Sequence, residues 1–334
     1  MTSQEQRRLQ GYRGAPATVT PPRRPGSVRR TTTHDSLRPD GLLGAVTLFA
    51  RGRDLRTEID GGATVLDEAR LEVEVDYPRR QVRRIVAEPA QPRLAELIGV
   101  NASAGFRGAV AEALPGERES GSVRFQLLDD LPTALLVSGY AISAGQAPLP
   151  APVPRPRSGL QYPDLCAGWI AEGTLMSRLT ETGVVPISDG PLAPEVEPAD
   201  PLGWHEHDPL PPHGMRRRRR LEVWRADGIV RVEGFFRDSH RSGDGVETVV
   251  HEYTVHATVD PDTRRFLTSE AEIGALPWPE CPVAAASAGR LAGLPVAGLR
   301  TEVRRNFTGR STCTHLNDTL RALEDVGALL DHVR

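Results

Sequence analysis

Thiol, imidazole and carboxylate side chains gather in the last third of this sequence. Cys313 and His315 sit two residues apart in Ser311-Thr312-Cys313-Thr314-His315-Leu316, with Cys281 and the His251-Glu252 pair upstream. Thiolate and neutral imidazole are ligands acceptable to zinc and to iron. They define a candidate site in which Cys281, Cys313, His315 and His251 bind the metal, and Glu252 or His251 moves a proton. Thr312 or Ser311 can cap a helix whose apolar stripe is Leu316, Leu320, Leu323 and Leu330, which places Cys313 and His315 in its first turn. Free backbone amides and the helix dipole favour a thiolate there. The same residues also read as a thiol nucleophile with an imidazole base, or as buried small hydrophobes beside a capping histidine.

Composition narrows the chemistry. Every basic side chain is arginine, so no lysine is present to form a Schiff base or to occupy a P-loop. G-x-S-x-G, H-E-x-x-H and G-x-G-x-x-G are absent as well. A net charge of -3 and an aromatic content of 5% give no support to a nucleic-acid surface. Arg216 to Arg220 reads as the entry to a strand with a solvated basic face. Three cysteines at wide spacing, no apolar leader and no membrane-length run lead to the expectation of a cytoplasmic protein with reduced thiols.

The elements that must hold the site follow from periodicity. Val28 to Leu37, Leu42 to Phe49, Leu71 to Val75 and Val82 to Val86 read as strands, the third by strict alternation. Leu94, Leu97 and Ile98, then Phe106, Val110 and Leu114, then Leu127, Leu128, Leu131 and Leu135 follow helical spacing. After Arg216 this order returns. Arg38-Pro39-Asp40-Gly41 is echoed by Arg225-Ala226-Asp227-Gly228, and Leu127-Leu128-Asp129-Asp130-Leu131 by Leu316-Asn317-Asp318-Thr319-Leu320.

The 334 residues therefore divide into a disordered arm (1-26), a degenerate first α+β copy (27-143), a Pro-rich connector that packs on a domain (144-215), and a second copy carrying the site (216-334). The fold class is α+β: two tandem copies of an antiparallel sheet followed by short helices, pseudo-twofold within one chain. On this pairing Asp67 stands where His251 stands, Arg124 for Cys313 and Gln126 for His315, so only the second copy keeps the ligands. In the connector, His205-Glu206-His207 has metal-binding residue types but, in a Pro-rich exposed segment, reads first as polar filler, and Cys166, beside Trp169, as a buried anchor or a further ligand.

At Arg225-x-Asp227-Gly228, His251, Cys281 and Cys313-Thr314-His315-Leu316 the chain resembles the bacterial domain-of-unknown-function family 2889, most closely over 216-330 and more loosely over 27-140. A weaker similarity, at the level of fold, is to iron-sulfur cluster scaffold proteins, whose later helices open on cysteines as at Cys281 and Cys313. The expected function is a zinc- or iron-dependent enzyme acting on a small carbonyl- or acyl-type metabolite. A metal or iron-sulfur carrier without turnover, a structural zinc domain and a thiol-nucleophile enzyme are the other readings.

Overall fold

A computed structural model describes residues 8–145, 163–183, 185–196 and 200–334. In chain order its strands and helices are β1 (Arg8–Gln10), β2 (Tyr12–Arg13), β3 (Val28–Leu37), β4 (Val46–Thr57), β5 (Ala63–Asp76), β6 (Gln81–Glu88), α1 (Phe106–Ala113), α2 (Pro115–Ser120), α3 (Val123–Val137), α4 (Gly139–Ala144), α5 (Thr174–Thr182) and β7 (Ile187–Asp189). There follow β8 (Met215–Ala226), β9 (Ile229–Arg241), β10 (Glu247–Val259), β11 (Phe266–Leu276), α6 (Leu299–Asn306), α7 (Thr314–Ala322) and α8 (Val326–Leu330). Two 3-10 helices, Pro92–Leu97 and Cys281–Leu291, follow β6 and β11. The protein is thus mixed α+β, with a large antiparallel sheet and short helices.

The strands after each arm or connector are joined by local hairpins, and β3 pairs antiparallel with β8. The result is a single nine-stranded sheet, β2-β11-β10-β9-β8-β3-β4-β5-β6. One expected boundary moves. The strand expected from Leu42 starts at Val46, because residues 38 to 44 turn back through Gly41 at φ 86°.

Helices cover one face of this sheet, and their core is split. One apolar cluster joins β8–β11 to the 281–291 helix, α6, α7 and α8; another joins β4–β6 to α1 and α3. Between them lies a buried ionic layer. Arg30 binds Asp54 and Asp325, Arg219 binds Asp130, and Arg321 joins Asp129 to Asp318. Arg217 holds Asp238 and Asp318, and Arg300 holds Asp325. Several of these pairs cross from one half of the chain to the other, so breaking one partner strands a buried charge in both.

The arm and connector cover the rest. Residues 8–26, expected as a disordered arm, are placed: β1 pairs with β7, β2 pairs with β11, and the Ala17 amide donates to Glu252 at 2.6 Å. Backbone hydrogen bonding to sheet edges outweighs the polar composition that suggested disorder. Residues 1–7 of that arm lie outside the described residues. Residues 163–183 of the connector pack on the helix layer, where the Ala167 amide donates to the Thr312 carbonyl at 2.8 Å. Residues 187–196 and 200–210 cross the opposite face, with Trp204 and Val196 packed on Phe235. No helix of the described residues is long and apolar enough to cross a membrane.

Candidate metal centre

The five consecutive arginines of β8 organise the surroundings of the site. Strand alternation sends Arg217 and Arg219 to the helix face and Arg216, Arg218 and Arg220 to the far face. The run is therefore not the solvated face expected from its charge: Arg216, Arg217, Arg219 and Arg220 are buried. Carboxylates on neighbouring strands and helices make that burial tolerable, and Arg217 is bound by Asp238 through Nε at 2.9 Å and Nη2 at 3.0 Å.

Register then builds a polar row across the helix face. His34 lies opposite Arg217, Arg217 opposite Asp238, and Asp238 opposite His251. A bulge between Val249 and His251 shifts β10 by a residue and sets His251 on this face beside Asp238. His315, in the first turn of α7, comes down on His251: the rings stack with centroids 3.6 Å apart at 22°. Ligand atoms of Asp238, His251 and His315 all lie within 4.8 Å of one another.

The electrostatics suit a cation. Burial first, then the neighbouring His251, pushes the His315 pKa well below its ordinary value, so the ring is neutral with a lone pair available. Burial alone would raise Asp238; the Arg217 charge instead holds it well below the usual carboxylate range. His251 Nδ1 is buried and lacks a hydrogen-bond partner among the described residues, since Asp238 Oδ2 stands 3.7 Å away. An orphaned imidazole nitrogen, a neutral imidazole and an anionic carboxylate are what a divalent transition metal requires of its ligands. Arg217 occupies one side of the carboxylate, which keeps lone pairs on the other.

Of the residues expected to form the site, His251 and His315 come together. Cys313 Sγ is 3.9 Å from His315 Nδ1, at the edge of the group. Cys313 is itself the N-cap residue of α7, while Thr312 turns back to Gly309 instead of capping. Its pKa is raised, because burial of the thiol outweighs the amides of His315 and Leu316 that favour the thiolate. Burial thus works against the thiolate expected at the helix start.

Cys281 does not join the imidazole pair. Its sulfur packs against Gly168 and lies in the neighbourhood of Cys166, Cys313 and the Tyr253 hydroxyl. Burial pushes Cys166 to about 11, with Cys313 adding to the rise. All three thiols are buried and free.

Glu252 is excluded from the site by alternation. Next to His251 in sequence, it points to the far face, where it accepts from Arg237 and from the Ala17 amide. The proton-moving role expected of it is therefore withdrawn. His205 and His207 also belong to the far face, and neither is exposed filler. His205 is 8% exposed and held by Thr31 and Thr33 hydroxyls, both at 2.9 Å.

Sequence reasoning missed Asp238, Arg217 and Tyr253. The signal was present in Phe235-Phe236-Arg237-Asp238, where a carboxylate interrupts an apolar strand face on the same side as Phe236. In the first half Arg30 binds Asp54, and Asp54 lies opposite Asp67, beside a bulge between Asp54 and Leu55. Asp67 there accepts from the Val123 amide at 2.8 Å.

Residues 215–328 match the family described as "Protein of unknown function (DUF2889)". Neither the curated proteins nor the solved structures contain a match to the chain.

Proposed function

We propose that this chain, which carries a DUF2889-family domain in residues 215–328, binds a single zinc or ferrous ion through Asp238, His251 and His315. We read the protein as a metal-dependent enzyme for a small carbonyl- or acyl-type metabolite. The observation that carries this is the convergence of three ligand atoms within 4.8 Å from β9, β10 and α7, elements far apart in sequence. Two imidazoles and one carboxylate are a ligand set that leaves coordination positions open, as catalytic rather than closed structural sites do. An ion so held polarises a bound oxygen.

The chain's own groups supply the rest. Arg217, itself held by Asp318, fixes Asp238 in place, Phe236 stacks on His315 at 6.4 Å, and the Cys313 thiol, beside the Tyr253 hydroxyl, borders His315. The turn at Cys166–Trp169, bonded to Thr312, is the cover whose displacement admits a ligand. The first half, in this reading, is a second copy of the unit in which Asp67 replaces His251 and no ligand set is kept.

Metal analysis of the purified full chain tests the proposal. Wild type and Cys281→Ser are expected to retain the ion, whereas His251→Ala and His315→Ala, still folded by circular dichroism, are expected to lose it. Unchanged metal content in the two histidine variants would overturn the reading. Loss confined to Cys166, Cys281 and Cys313 variants would favour a soft-metal carrier instead, a reading supported by the three thiols that surround Tyr253.

A further inference from the structure

The residue that opens α7 is a poor choice for a helix start. Ser, Thr, Asp and Asn are favoured at an N-cap because their side-chain oxygen accepts from the amides of the first turn. α3 follows that rule, with Ser122 accepting from the Phe125 amide at 3.0 Å. The N-cap of α7 is Cys313, which makes no capping hydrogen bond, and the Thr312 hydroxyl beside it is turned to the Gly309 carbonyl at 2.9 Å. A thiol here does little for the helix.

What the sulfur faces is an imidazole edge. Cys313 Sγ lies 3.9 Å from His315 Nδ1, and the Thr314 hydroxyl lies 3.4 Å from the same nitrogen. Both partners come from the two residues before His315, so the start of α7 wraps one edge of its own ring. Across the ring, Nε2 makes no hydrogen bond among the described residues. Stacking on His251 at 3.6 Å and on Phe236 at 6.4 Å limits rotation of the ring.

A neutral imidazole carries one proton, and the partner of one nitrogen decides which nitrogen keeps its lone pair. Sulfur and hydroxyl oxygen both have lone pairs to offer, and a thiol S–H is a weak donor. At Nδ1 the stronger donor is therefore the ring. We propose that Cys313 and Thr314 are positioning residues that accept the Nδ1–H of His315 and leave Nε2 as its ligand atom beside Asp238 and His251. This rests on the metal reading above, and it moves Cys313 from the ligand set expected for it to the shell that orients a ligand.

Three measurements on the purified full chain test it. Long-range proton–nitrogen NMR correlation on the metal-free protein at about pH 7.5, above the ordinary histidine pKa, should find His315 protonated at Nδ1, the signals being assigned by their loss in His315→Ala. Cobalt bound in place of zinc should give no thiolate-to-cobalt charge-transfer band. Zinc affinity, measured by competition with a chelating dye, should fall about 10–100-fold in the double variant Cys313→Ala/Thr314→Val, as it does when the outer partner of a ligating histidine is removed. Cys313→Ser and Thr314→Ser, which keep acceptors, should stay closer to wild type. If the double variant does not fold, the wild-type tautomer and the cobalt spectrum decide. His315 protonated at Nε2, a charge-transfer band abolished by Cys313→Ala, or unchanged zinc affinity in the folded double variant overturns the proposal while zinc binding stands. A wild-type chain that binds no zinc overturns both this proposal and the metal reading.

Discussion

Arg217 shows how much a single side chain can determine in this molecule. It is 2% exposed and touches Asp238 and Asp318, both carboxylates held far below their ordinary range. Arg217→Met would leave those charges buried without their cation, and a loss of about 3–5 kcal/mol in urea denaturation is expected. A loss below about 1 kcal/mol would show that the pairing is dispensable. Glu252→Gln provides the contrast. It disturbs Arg237 and the Ala17 amide on the far face, so it should lower stability while leaving metal content unchanged. Loss of metal in that variant would mean that alternation across β10 has been misread.

At the scale of elements, the connector brings both of its chemical residues into buried positions. His205 is clamped by β3 threonines, and His34 on β3 itself bonds the Leu127 carbonyl at 2.9 Å. Burial lowers the pKa of both, and their folded forms are neutral. Above the ordinary histidine pKa of about 6.5 both states are neutral and this stability is fully present. As pH falls, the unfolded chain takes up protons that the folded one refuses, so stability falls, by at most about 1.4 kcal/mol per pH unit for each buried ring. Urea midpoints should hold from pH 7.5 to about 6.5 and decline from there towards pH 5, and His205→Gln should flatten the decline. A pH-independent midpoint would contradict the burial. At its other end the connector places Cys166 at 7% exposure with its thiol pushed to about 11, so reaction with a thiol reagent should await unfolding. Rapid labelling in the native protein would show that the Cys166–Trp169 turn opens readily.

At the scale of the molecule, the two halves share one sheet and one ionic layer. β8 depends on β3 for hydrogen bonding along its length, and Arg219 depends on Asp130 of α3. A fragment limited to residues 215–334 would expose that edge and strand Arg219, so it should lack the cooperative urea transition of the full chain. A fragment with native-like cooperativity would show that the family-matched segment folds independently of the first half.

What the sequence determined by itself was local: β3 over Val28–Leu37, α1 from Phe106, the leucine-rich α3 and α7, and the histidines and cysteines able to act as ligands. Those follow from periods of two and 3.6 residues, which any stretch carries within itself. Which ligand types meet was decided only by tertiary structure. A bulge in β10 and the pairing of β9 with it turned His251 towards Asp238 and away from Glu252, and the fall of α7 across the sheet added His315 while leaving Cys281 with Cys166. The same holds for the arginines of β8. Their charge is plain in the sequence, but their burial depends on carboxylates contributed by β3, β9, α3 and α7, which only the closed sheet assembles.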